Sequence, residues 1–214
     1  MYEGKPSAYF ANPRPEMIPF VPAGIARVLE LGCGGGDFGA ALKIARNVEV
    51  VGIETAASAA ALAQQRLDRV LVADIERGAL DLPEDHFDCL VCNDVLEHLA
   101  DPWTALKRLR RHVRPGGWLV ASIPNVRHHK VVRRLIWPGE WRYADDGVLD
   151  RTHLRFFTQR SACELVASAG FSVERVEGIN RSSLPLWLRL ISWITRGSFE
   201  DMRYLEFVIV ARRT

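Results

Sequence analysis

Charge of one sign is what this chain has least of. Lys and Arg number 28 against 26 Asp and Glu, a formal net charge of +2. So close a balance creates no global field to gather a polyanion. Nucleic acid is not expected as a partner, and basic residues matter only where they cluster. Long apolar runs are missing too. None reaches the ~18 residues of a spanning helix, which argues against stable membrane insertion. The N-terminal MYEGKPSAYF has no signal-peptide core, so a cytoplasmic protein is expected. Cysteines are four: Cys33, Cys89, Cys92 and Cys163. Cys89 and Cys92 form a C-x-x-C, but both fall in an apolar run that reads as a strand. Their odd separation points them to opposite faces, where free cysteine behaves as a small hydrophobe. No second pair completes a zinc set, and no metal is expected.

What remains is enough for one domain. The 214 residues are 48% hydrophobic and 25% charged, ordinary for a globular fold. The most informative stretch is VLELGCGGGDFG, residues 28–39. An apolar run ends at Glu30, and glycines follow at Gly32, Gly34 and Gly36. A buried strand, a glycine turn and a helix start bring backbone N–H groups up to a ligand. A dinucleotide fingerprint needs glycine at its first, third and sixth positions. Counted from Gly32 the sixth is Asp37, so the nicotinamide reading loses its last glycine.

More strand-like runs follow in order. VEVVGIE, residues 48–54, ends at Glu54, about 20 residues past the turn, where a doubly wound fold sets a carboxylate against ribose hydroxyls. RVLVADI, residues 69–75, ends at Asp74 and Ile75. FDCLVCNDVLEHL, residues 87–99, runs into Asn93, Asp94, Glu97 and His98. WLVASIPN follows Pro115-Gly116-Gly117. Helical patterns alternate with these runs. The first carries Phe38, Ala41, Leu42 and Ala45 on one face, and a second covers 57–67. A third opens at Asp101-Pro102, with Trp103, Leu106, Leu109 and Val113 facing the sheet. A fourth begins after Thr158, ends at Gly170 and buries Ala162, Leu165, Val166 and Ala169. Strands over 171–176 and 205–211 complete the series. The alternation implies an α/β fold, a doubly wound and mostly parallel sheet of seven strands.

The E-x-G-x-G-x-G turn and its ordered successors resemble motifs I to V of the class I S-adenosylmethionine-dependent methyltransferases, over roughly residues 1–180. The resemblance implies a Rossmann-like methyltransferase fold, an antiparallel last strand and S-adenosyl-L-methionine as cofactor. It implies a cofactor set of Glu30, Gly32, Gly34, Gly36, Glu54, Asp74, Ile75, Asn93 and Tyr9, with Asp74 taking the adenine amino group and Ile75 covering the ring. The bland alternative is turn glycines and solvated strand-end acids. Asp94, Glu97 and His98 resemble an acid-x-x-Glu-His cluster of ubiquinone-biosynthesis O-methyltransferases. On a helical turn they share one face, suited to a base or a hard cation. The bland reading is capping by Asp94 and a packed His98.

Residues 124–157 and 181–203 are long connections, read as lid or substrate insertions on a single domain spanning 1–214. The first resembles a segment of methyltransferases from bacterial polysaccharide clusters. It carries Ile123-Pro124-Asn125, His128, then Asp150, Thr152, His153, Leu154, Arg155, Phe157 and Thr158. The implied acceptor is a small molecule or glycan, methylated on a hydroxyl of a sugar or glycan precursor; the alternatives are a natural-product or quinone O- or N-methyltransferase and a cofactor-binding module without activity of its own. A hydroxyl is a weak nucleophile, so a neutral imidazole suits proton removal, and His153, His128 and Glu97 are the candidate catalytic groups. The alternative is that His153 and Arg155 pin the insertion to the core. Arginines and aromatics from Arg127 to Tyr143 could hold an anionic or sugar-like acceptor, with Trp141 as a flat face, or be a solvated face over a core. Leu184–Ile194 caps the site, forms a homodimer face or touches a membrane surface.

Overall fold

The computed structural model describes residues 13–78 and 80–214. Tyr9 lies outside them. Seven strands form one sheet: β1 (Arg27–Leu31), β2 (Glu49–Glu54), β3 (Arg69–Val72), β4 (Phe87–Asn93), β5 (Val113–Pro124), β6 (Phe171–Arg181) and β7 (Tyr204–Arg213). Their order is β3-β2-β1-β4-β5-β7-β6. The first five run parallel, and β7 lies antiparallel between β5 and β6. This is the Rossmann-like arrangement that the strand series implies.

Among the described residues there are six α-helices: α1 (Asp37–Arg46), α2 (Ala57–Ala63), α3 (Pro102–Arg110), α4 (His129–Ile136), α5 (Gln159–Ser168) and α6 (Leu186–Ile194), of which α1, α2, α3 and α5 cover the sheet. Even-numbered β4 residues Leu90 and Cys92 pack under Leu106, Leu109 and Leu165 of α3 and α5. Cys89 and Val91 face the other way, toward Phe38 and Leu42 of α1 and Met17 of a short 3-10 turn. The two cysteines are thus on opposite faces, each fully buried, which suits strands covered on both sides.

Helix starts follow local chemistry. Asp101 caps α3 by accepting from Thr104 N–H, with Pro102 in the first turn. Thr158 and Ser161 form a reciprocal capping box on α5. The structure departs from expectation in several places: Ala45 is exposed rather than on the buried face of α1, and β3 ends at Val72 rather than at 75. Val113 is not on the third helix but opens β5, pairing with Phe87, and the Pro115-Gly116-Gly117 segment lies inside the strand beside a register shift. Trp103 does not face the sheet; it is exposed beside the Arg155 guanidinium, and Ala105 takes the inward position. The second helix stops at Ala63 rather than 67. Strand β6 runs on to Arg181 because 177–181 continue to pair with β7.

The two long connections contain α4 and α6. Asn125, fully buried, holds them together: its amide nitrogen donates to the carbonyls of Asp201 and Tyr204, and its oxygen accepts from Arg127 N–H. No helix among the described residues is long and apolar enough to cross a membrane.

Candidate active site

The carboxyl ends of β1, β2, β4 and β5 open into one cavity of about 800 Å³. Its size is that of a cofactor-plus-substrate pocket, at the position where open parallel sheets bind ligands. The glycine turn forms one wall. Gly32, Gly34 and Gly36 all have positive φ, of 67°, 52° and 81°. A Cβ on Gly32 would stand 2.8 Å from Val95 Cγ2, so only glycine lets the turn pass this close to the β4 loop. Gly32 N–H donates to the Ile53 carbonyl at 2.8 Å.

Glu54 braces that turn. Its Oε2 accepts from Gly34 N–H at 2.9 Å, and its Oε1 accepts from the Thr55 and Ala56 N–H groups at 2.8 Å. Oε2 has one protein bond and keeps acceptor capacity. Glu30 lies deeper, 3% exposed, with its Oε2 without a hydrogen-bond partner among the described residues. Burial, with the nearby charges of Glu54 and Asp37, raises its pKa to about 8. Asp74 sits at the rim, exposed, accepting from Glu76 N–H, and Ile75 is buried beside it. Asn93 also lines the cavity, and both its amide oxygen and its amide nitrogen are buried without a partner among the described residues. A buried unpaired donor and acceptor in one pocket mark a place for a polar ligand.

S-adenosylmethionine fits this donor set. The cavity offers a glycine cradle for a small polar chain, an unpaired amide, acids at strand ends for hydroxyl and cationic groups, and Ile75 as an apolar face. Every candidate cofactor residue within the described chain, from Glu30 to Asn93, falls in or beside this wall.

The opposite wall is built by the first insertion. The Glu97 carbonyl accepts from the Leu154 and Arg155 N–H groups at 2.8 and 2.9 Å, sewing residues 150–155 to the loop after β4. Arg155 also donates to the Ala100 carbonyl. This brings His153 into the cavity wall. Its Nδ1 lies 3.0 Å from the Val148 carbonyl, which can only accept, so Nδ1 carries the hydrogen and Nε2 is the acceptor in the neutral ring. Nε2 lies 3.9 Å from Glu97 Oε1. Asp150 accepts from the N–H and hydroxyl of Thr152 through one oxygen.

Glu97 is 1% exposed, with neither carboxylate oxygen hydrogen-bonded among the described residues. Burial raises its pKa to about 8 and favours the protonated form. Glu97, His98 and His153 bring one ligand-type atom each within 4.8 Å of one another. Asp94 does not join them. Its φ of 49° takes it off any helical turn, and it pairs with Arg14 and accepts from the Ser122 hydroxyl at 2.7 Å. The shared face of Asp94, Glu97 and His98 is therefore not formed, and the 3-10 turn Leu96–His98 has no side-chain cap.

His128 is turned away from the cavity. Its Nε2 donates to the Ser182 hydroxyl at 3.0 Å, as does that of His129, because the Ser182 hydrogen goes to the Arg203 carbonyl. Burial pushes its pKa down to about 4. It ties α4 to the second insertion and does not line the cavity where a proton acceptor is needed. Trp141 packs edge-on to Phe156 in a small cluster with Val131, Val148 and Leu149, not on the cavity, and Trp137 points to solvent. Helix α6 contributes no lining residue.

One residue of the wall escapes sequence reading. Arg14, buried, pairs with Glu16, Asp94 and Glu206 and thereby joins the N-terminal turn to β4 and β7. Its only signal is an arginine between two prolines.

Comparisons with known proteins agree with this geometry. A family model described as a methyltransferase domain matches residues 7–176. The ubiquinone biosynthesis O-methyltransferase of Aeromonas salmonicida is 29% identical over 191 residues, 85% of this chain and 76% of that protein. The trans-aconitate 2-methyltransferase of Methylobacterium nodulans is 32% identical over 76% of this chain and 64% of its own length. The chain spans as little as 30% of some other curated relatives. Among solved structures, an S-adenosylmethionine-dependent methyltransferase from Mesorhizobium loti has a TM-score of 0.64 at 20% identity, covering 100% of both chains. A possible histamine N-methyltransferase from Thermotoga maritima has a TM-score of 0.65 at 20% identity, over 97% of this chain and 89% of that one. These two show the shared fold. With the glycine cradle, the strand-end acids and a family model over most of its length, the chain belongs to the class I S-adenosylmethionine-dependent methyltransferases.

Proposed function

We propose that the protein methylates a hydroxyl of a sugar or glycan precursor. The observation that carries an oxygen acceptor is His153, held at Nδ1 by the Val148 carbonyl so that Nε2 is an acceptor in the cavity wall beside Glu97. The sugar assignment rests on the match of Asn125, His128 and 150–158 to the polysaccharide-cluster segment. When bound, the cofactor supplies an electrophilic methyl group on a sulfonium. The Gly32–Gly36 backbone, Glu54, Asp74 and Asn93 would orient it. His153 Nε2 would take the proton of the acceptor hydroxyl when that oxygen is methylated. The imidazolium so formed would keep its Nδ1 hydrogen bond to the Val148 carbonyl, which holds the ring in place. Alignment supplies most of the rate, and base assistance adds ~10²–10⁴-fold.

A second reading rests on the close approach of Glu97, His98 and His153, which suits a divalent cation holding a catechol-type acceptor, as in a quinone or natural-product methyltransferase. One experiment separates the two. A panel of sugar and catechol acceptors is assayed with wild type and His153→Ala, with and without a chelator. The base role predicts a fall in kcat of ~10²-fold or more, unchanged affinity for S-adenosylhomocysteine, and chelator resistance. A stable, cofactor-binding variant with near-normal kcat removes the base role. Loss of wild-type activity to the chelator, restored by magnesium, favours the second reading.

A further inference from the structure

Helix α6 buries only Leu188 and Ser192, one turn apart. Leu186, Trp187, Leu190, Ile191, Trp193 and Ile194 all face solvent, with Leu186 and Trp193 both 80% exposed. The end of α4 adds to this surface. Val132 packs into the Leu184–Leu188–Met202 cluster beneath α6. Ile136 lies one turn beyond Val132 on the same face, and it is 76% exposed, beside Leu135 and an 81% exposed Trp137. Such a concentration of large apolar side chains on one surface calls for a partner.

The surrounding charge narrows the choice. Lys130, Arg133, Arg134, Arg181, Arg189 and Arg196 flank the two helices and are exposed. None has an acidic partner among the described residues, although most other surface arginines do. Residues 126–137 and 181–199 contain no Asp or Glu. We propose that the α4–α6 face docks on the surface of an anionic lipid bilayer. Tryptophans and aliphatic side chains enter the headgroup boundary while unpaired arginines meet lipid phosphates. A second copy of the chain is a poorer occupant. A two-fold interface would set these cations against their own equivalents with no acid to offset them. Nine residues of α6 are too few to cross a bilayer, so the helix lies along it. The proposal does not depend on the methyl acceptor, since none of α6 lines the cavity.

The test is co-sedimentation of the full chain with sucrose-loaded vesicles, either phosphatidylcholine alone or an equal mixture with phosphatidylglycerol. Binding is expected to the mixed vesicles, roughly ten-fold weaker to phosphatidylcholine alone, weakened by salt and accompanied by a blue shift of tryptophan emission. Trp187→Ser with Trp193→Ser should lose about ten-fold in binding, and Arg133→Glu with Arg189→Glu should lose the preference for phosphatidylglycerol. All four side chains are exposed, so melting temperatures should not move, and the charge variant remains informative if the tryptophan variant fails to fold. Absence of vesicle binding, or equal binding by all three proteins, overturns the proposal. So does a dimer in sedimentation velocity that the tryptophan variant dissociates while vesicles capture nothing.

Discussion

A single carboxylate, Glu54, fastens the glycine turn to the second strand through Gly34 N–H and orders the chain that follows it through the N–H groups of Thr55 and Ala56. Replacing it with alanine leaves those donors unpaired and removes the acceptor offered to a ribose. Glu54→Ala should therefore weaken S-adenosylhomocysteine binding by about 2–4 kcal/mol. Isothermal titration with unchanged affinity would remove Glu54 from the cofactor site. At this scale the sequence is readable where a side chain sits at a strand end, because strand direction alone decides its place. Glu30, Glu54 and Asn93 are such cases. It is unreadable where a residue's partner is a backbone carbonyl far along the chain. Nothing in the spacing of Asp150 and His153 says that the ring is held by Val148. Nor does His128 reveal that its neighbour is Ser182, 54 residues on. Arg14 meets Asp94 and Glu206 only because the fold brings three distant segments together.

The elements themselves were largely legible, for a physical reason: caps and periodicity are local. Thr158 starts α5 where its hydroxyl can accept from Ser161 N–H, and the apolar stripe fixes the buried side at Ala162, Leu165 and Val166. Thr158→Ala should cost about 1 kcal/mol, a fall in Tm of roughly 2–4 °C, with cofactor affinity intact. Differential scanning calorimetry beside a binding titration checks both halves. The misreadings cluster where tertiary pairing overrules local pattern. Val113 continues a helical stripe in sequence, yet pairing with Phe87 draws it into the sheet. Residues 177–181 look like loop but find partners on β7. In the first insertion, most of the motif that suggests catalysis is instead fastening. Asn125 clamps two loops, Arg155 grips the Ala100 carbonyl, Thr158 caps a helix, and His153 alone among its imidazoles reaches the cavity.

For the molecule as a whole, the buried acids Glu30 and Glu97 set how stability depends on pH. Both have pKa values of about 8, against 4.5 for an ordinary glutamate. The folded chain therefore holds protons that the unfolded chain has released above about pH 4.5. Stability should decline as pH rises from there to about 8, and Glu30→Gln should flatten the slope. A set of urea melts between pH 5 and 9 measures it; a rising or flat wild-type profile would show that these groups are ionised when buried. The same two acids have a consequence for turnover. S-adenosylmethionine carries one positive charge more than S-adenosylhomocysteine, and an acid facing a sulfonium gives up its proton more readily than one facing a thioether. Loading the cofactor should expel protons into solution, and its spent form should expel fewer. Titration calorimetry in buffers of different ionisation enthalpy counts them. The pocket would then tell fresh cofactor from used by trading hydrogen ions with the solvent, gripping the first more tightly as the medium becomes more alkaline.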